Sequence, residues 1–108
     1  MFNKGDIVKI INPGARFGSY VSMAAKLGAT KWKSSYRLQD DTYINKIGMI
    51  INYAEHETTP GYGTIYLIYI EELDEEILMH GDGMVYAVLQ DIIQLTRRRY
   101  ESQGNKVL

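Results

Sequence analysis

The run Thr64-Ile65-Tyr66-Leu67-Ile68-Tyr69-Ile70 places apolar side chains at odd and even positions alike, six in a row after Thr64. β-Branched and aromatic residues at this density favour extended backbone, and a strand that is apolar on both faces has to be covered on both. The rest of the chain must therefore supply two layers around one central strand. Left open, such a segment templates aggregation, and the acidic residues that follow it (Glu71, Glu72, Asp74, Glu75 and Glu76) read as charged gatekeepers serving solubility.

Other segments supply the layers. Ile7-Val8-Lys9-Ile10-Ile11 is a β-branched run entered through Gly5-Asp6, and Asn12-Pro13-Gly14 closes it with the residue order of a type II turn. Ser19 offers a helix N-cap, Tyr20, Met23, Ala24 and Leu27 recur at helical spacing, and Gly28 supplies a left-handed stop. A helix this short is marginal alone, so it must owe its order to docking that stripe. Tyr43 to Tyr53 is extended, with Ile47, Met49, Ile51 and Tyr53 expected on one face and Gly48 allowing a bend or close approach. A turn-rich loop spans Ala54 to Gly63. Ile77–His80 and Met84–Leu89 flank Gly81-Asp82-Gly83, which suggests a hairpin, and Gln90-Asp91 suggests a tight turn into a last strand, Ile92–Leu95. Beyond Thr96 the chain is polar and is expected to fray.

A chain of 108 residues fits one domain with a modest core. The expected fold is mainly β: a small SH3-like barrel of five or six strands over residues 1–96, with one short helix inserted after the first strand at 19–28, and a basic tail at 97–108.

Charge is polarised along the chain although the net charge is −1. Residues 1–38 carry Lys4, Lys9, Arg16, Lys26, Lys31, Lys33 and Arg37 against Asp6 alone, a sum of +6. Residues 39–95 carry eleven acids against Lys46, a sum of −10, and the segment from Thr96 adds +3 through Arg97, Arg98, Arg99 and Lys106 against Glu101. That pattern suits a directed contact better than uniform cationic binding to nucleic acid. There is no cysteine, which removes disulfides, thiolate metal sites and cysteine nucleophiles. The start of the chain has no apolar signal core and no run reaches about 18 apolar residues, so neither export nor a membrane partner is expected, and a cytoplasmic life is the simplest reading.

The segment Gly5 to Gly14, followed by Tyr20, Met23-Ala24, Leu27-Gly28-Ala29 and Trp32, resembles a group of small proteins encoded in tailed-bacteriophage genomes. That group opens with a Gly-Asp strand ending in Asn-Pro-Gly and continues through a Tyr-rich short helix, Leu-Gly-Ala and a tryptophan. The similarity covers Gly5 to Trp32 and extends to Leu95 only as a strand pattern. Phe17-Gly18-Ser19 stands where Tyr-Thr-Thr is common, and the Glu71–Glu76 run and the arginine run are this chain's own. The resemblance implies a viral accessory protein with a barrel fold, acting in an infected bacterial cell. It transfers no site residue.

One stretch interleaves bases with aromatics: Lys31-Trp32-Lys33-Ser34-Ser35-Tyr36-Arg37. Such a surface stacks on rings while pairing with anions, or else Trp32 plugs the core and the lysines form its solvated rim. Arg16 and Tyr20 are expected to share that face, and Tyr62, in its Pro-Gly loop, is a candidate exposed anchor. The candidate binding residues are thus Arg16, Tyr20, Lys31, Trp32, Lys33, Tyr36, Arg37 and Tyr62. His56 lies between Glu55 and Glu57, and His80 precedes Gly81-Asp82-Gly83, but neither stretch holds the oriented base of a catalytic site or the three ligands of a metal site. The sequence reads as a non-catalytic binding protein with no cofactor. A host protein is the expected partner. Nucleic acid and a small nucleotide are the alternatives, and a homo-oligomer would explain the doubly apolar strand.

Overall fold

Register decides which of these apolar residues become core. The computed structural model describes residues 2–12, 21–32, 41–55 and 63–102. In chain order its elements are β1 (Ile7–Ile10), α1 (Val21–Lys26), β2 (Ile47–Glu55), β3 (Thr64–Ile70), β4 (Glu75–His80), β5 (Met84–Tyr86) and α2 (Leu89–Ser102), with short 3-10 turns at Asp41–Tyr43 and Gly81–Gly83. The strands form one antiparallel five-stranded sheet in the order β4-β3-β2-β1-β5. It is not closed into a barrel: β4 and β5 remain its edges.

β3 is an interior strand, between β4 and β2, and is covered on both faces, as its composition requires. On the inner face Tyr66, Ile68 and Ile70 join Val8, Ile10, Ile50 and Met79 in one buried cluster. On the outer face Ile65 and Leu67 join Leu78 under Met23, Ala24 and Leu27 of the α1 segment. Met23, Ala24 and Leu27 of the stripe foreseen for the short helix are thus the lid of the second layer, and its fourth member, Tyr20, lies outside the described residues. Gly48 lies close against β3: a Cβ there would overlap Ile68 Cγ2 and stand 3.0 Å from the Tyr69 carbonyl oxygen.

Four expectations need correction. The long strand begins at Ile47, and a register shift between Ile50 and Asn52 reverses the alternation, so Tyr53 packs with the inner cluster rather than beside Met49. Gly81-Asp82-Gly83 does not close a hairpin. It forms a 3-10 turn, held by the amides of Ile11 and Asn12 donating to the Gly83 carbonyl, that carries the chain across to pair β5 with β1. No strand forms at Ile92–Leu95: the chain is helical from Leu89 to Ser102, and residues 103–108 lie outside the described residues. The reason is a cap, since the Asp91 carboxylate accepts the Val88 amide at 3.1 Å, three residues back, and satisfies one of the donors a helix start exposes. Fourth, the acidic run is more than a solubility fence, since Glu72, Glu75 and Glu76 each bond to another part of the fold. The Asn12-Pro13-Gly14 turn beyond Asn12, the Ser19 cap and most of the Ala54–Gly63 loop lie outside the described residues.

Candidate functional site

α1 ends in a motif that aims the following segment. Gly28 adopts φ +83°, the Ala29 amide donates to the Ala24 carbonyl at 2.9 Å, and the Gly28 amide donates to Ala25 at 3.1 Å. This pair of bonds is a Schellman C-cap, which only a residue tolerant of left-handed backbone completes without strain. Asn52 Nδ2 donates to the Leu27 carbonyl at 3.1 Å and ties the same turn to β2.

The chain then runs along the free edge of β4. Trp32 pairs with Glu76 in an isolated parallel bridge, and the Glu76 amide donates to the Lys31 carbonyl at 3.1 Å. The Glu76 side chain completes the attachment: its Oε1 accepts the Thr30 amide at 2.7 Å, the Lys31 amide, and the Thr30 hydroxyl at 3.4 Å. Glu76 is 5% exposed and is the one buried charged residue among those described. A buried carboxylate costs several kcal/mol unless its oxygens are satisfied, and here backbone donors satisfy it. The attachment also covers part of a sheet edge that would otherwise present unpaired backbone.

Lys31 and Trp32 therefore sit on a fixed strip of backbone. Trp32 is half-buried against the Met23–Leu27 cluster, so its ring both seals the core and keeps an accessible part. The exposed Lys31 ammonium donates to Asp74 Oδ1 at 2.5 Å and lies 5.8 Å from the Tyr69 ring centroid. Tyr69 donates its hydroxyl to the same carboxylate oxygen at 2.8 Å. The hydrogen bond to Asp74 holds the Lys31 pKa above its usual value, and the bond from the Tyr69 phenol to Asp74 likewise raises that of Tyr69.

The acidic run belongs to this construction. Asp74, at φ +51°, ends the β3–β4 turn, Glu75 accepts the Tyr43 hydroxyl at 2.6 Å, and Glu72 pairs with Lys46 at 2.9 Å. The run thus ties the α1 exit, the turn at Asp41–Tyr43 and the start of β2 to one end of the sheet. Sequence reasoning missed Glu76. The available signal was its place in β4, two residues before Leu78 and so on the same face as a core residue.

Of the candidate binding residues, the structure brings Lys31 and Trp32 together, and Arg16, Tyr20, Lys33, Tyr36, Arg37 and Tyr62 lie outside the described residues, as does His56. His80 is half-buried at the end of β4. Among the described residues no three His, Cys, Asp or Glu side chains group where they would hold a metal ion, and no helix is long and apolar enough to cross a membrane. A second surface had no counterpart in the sequence reading: Met49, Val85, Leu89 and Ile93 are large, apolar and exposed. No family model matches the chain, and neither a curated protein nor a solved structure shows significant similarity to it.

Proposed function

We propose that this chain is a non-catalytic phage accessory protein that engages a host protein through the Lys31–Trp32 surface in the bacterial cytoplasm. The observation that carries the reading is the use made of Glu76. A buried carboxylate, costly to desolvate, directs its hydrogen bonds to Thr30 and Lys31, and so fixes a surface segment rather than the core. Ordering a contact segment before association reduces the entropy lost on binding. The segment offers a tryptophan beside a cation, the residue chemistry enriched at the energetic centre of protein interfaces. The Lys31–Asp74 ion pair is exposed and worth little, so an incoming carboxylate displaces it at small cost.

The scaffold we assign is SH3-like. Its support is the return of β5 to β1 directly after a 3-10 turn, the closing arrangement such barrels use, together with the four-strand meander before it. The resemblance of Gly5 to Trp32 to phage-encoded proteins supports the viral assignment.

The test is affinity capture from bacterial lysate with wild type, Trp32→Ala and Lys31→Glu. A specific protein retained by wild type and lost from both variants, with their cooperative unfolding preserved, supports the reading. Capture that survives both substitutions, or no specific capture, overturns it.

A further inference from the structure

The outer face of the sheet is covered over only part of its width. α1 seals the β3 and β4 side, whereas the β1, β2 and β5 side carries Met49 and Val85, each 42% exposed. Their register partners are Ile7 and Lys9, two residues apart on one strand, so both side chains point to the same face. The first turn of α2 is moored on that face by the Lys9–Asp91 ion pair at 3.5 Å. The helix nevertheless has 14 residues, a length of about 21 Å, and packs only lightly on β2. Leu89, Ile92, Ile93 and Thr96 follow helical spacing and form one stripe, with Leu89 72% and Ile93 50% exposed.

We propose that α2 and this open half-face form a self-association surface, covered by the same surface of a second copy of the chain. Two features select a second copy. The first is shape: the stripe is longer than its own sheet covers, and the sheet half is wider than its own helix covers. A two-fold axis lets each copy supply what the other lacks, as an isologous interface requires. The second is charge. α2 runs from Asp91 in its first turn to the exposed Arg97 near its end, so antiparallel crossing sets the acidic start of one helix beside the basic end of the other. The basic end, in a segment of +3, also meets a partner body whose residues 1–95 sum to −4. Nucleic acid or an anionic bilayer would attract the arginines but be repelled by that acidic body. The Lys31–Trp32 strip lies at β4, the opposite edge of the sheet from β5, so a dimer would leave two such strips open.

Sedimentation velocity of the full chain across the micromolar range tests this. The expected result is a reversible monomer–dimer equilibrium, with Leu89→Glu/Ile93→Glu sedimenting as a monomer whose circular dichroism and cooperative unfolding match wild type. Arg97→Glu should weaken the dimer about tenfold, and added salt should weaken it in the same direction. Val21→Glu, on an exposed apolar residue of α1, should leave it intact. A wild type that stays monomeric throughout, a dimer that survives the double substitution, or a monomer that binds duplex DNA or phosphatidylglycerol vesicles through α2 overturns the proposal. Those outcomes leave the lysate capture at Lys31 and Trp32 untouched, so the two readings fail separately.

Discussion

α1 has six residues and buries Met23 and Ala24 almost completely, whereas α2 has fourteen and leaves Leu89 and Ile93 exposed. Length and burial run in opposite directions in these two helices, and the contrast shows what each one owes its order to. A free helix of fewer than about 12 residues is marginal in water. α1 therefore persists through its contacts: three side chains on β3 and β4, a glycine C-cap, and an exit segment pinned by Glu76. α2 is long enough to lean on its own hydrogen bonds and on the Asp91 cap, and its apolar stripe is available for something else.

The largest expected effects set one helix's environment against the other's. Leu67→Ala, which empties the site under α1, should lower unfolding free energy by about 2–5 kcal/mol in denaturant titration, while Ile93→Ala in dilute solution should change it by less than about 0.5 kcal/mol. Equal losses would break the contrast. Next comes the pin. Glu76→Ala leaves the Thr30 and Lys31 amides without their acceptor, at a cost of about 1–3 kcal/mol. It should also red-shift Trp32 fluorescence and open it to iodide, whereas an unshifted spectrum would mean that the segment holds without the carboxylate.

The caps come third. Gly28→Ala meets no atom within 4 Å, so its cost is conformational alone, about 1 kcal/mol for left-handed backbone, readable as a lower melting temperature. Asp91→Ala should cost a similar ~1 kcal/mol and reduce helical ellipticity without disturbing the environment of Trp32.

The smallest effect is on pH dependence. Lys31 and Tyr69 both have raised pKa values through Asp74, so the folded state holds their protons more tightly than the unfolded chain. Their contribution is complete below the unfolded values, 10.0 for Tyr69 and 10.5 for Lys31, and is lost as pH rises through the folded ones. Stability should fall slightly above about pH 10, and Asp74→Asn should flatten that fall. Exposure of Lys31 keeps the change small.

Where composition alone determines conformation, the chain was legible. β3 could be read because apolar residues on both faces suit an interior strand better than an edge, and Gly28 because a left-handed stop at the end of a helical stripe has a local cause. The errors share another origin. Gly81-Asp82-Gly83 signals a change of direction but not which strand is joined next, and that depends on β1, more than seventy residues earlier. Ile92-Ile93 read as extended because both are β-branched, although Asp91 already stood three residues after Val88, the position from which an acid accepts the amide before a helix. The register shift near Ile51 inserts one residue and turns Tyr53 to the other face, an event with no local marker. At the candidate site, interleaved bases and aromatics drew attention to Lys31 and Trp32, but the residue that holds them is an acid in a run of acids, distinguished only by the face of β4 it occupies.

Native-state hydrogen exchange, followed at several protein concentrations, tests most directly the claim that the short helix is sealed from within and the long one from outside. The account predicts that amides from Leu27 to Lys31 are protected to the same degree at every concentration, while those in the second half of α2 gain protection as concentration rises. Rapid exchange at Thr30 and Lys31, or α2 amides equally unprotected at all concentrations, would contradict it.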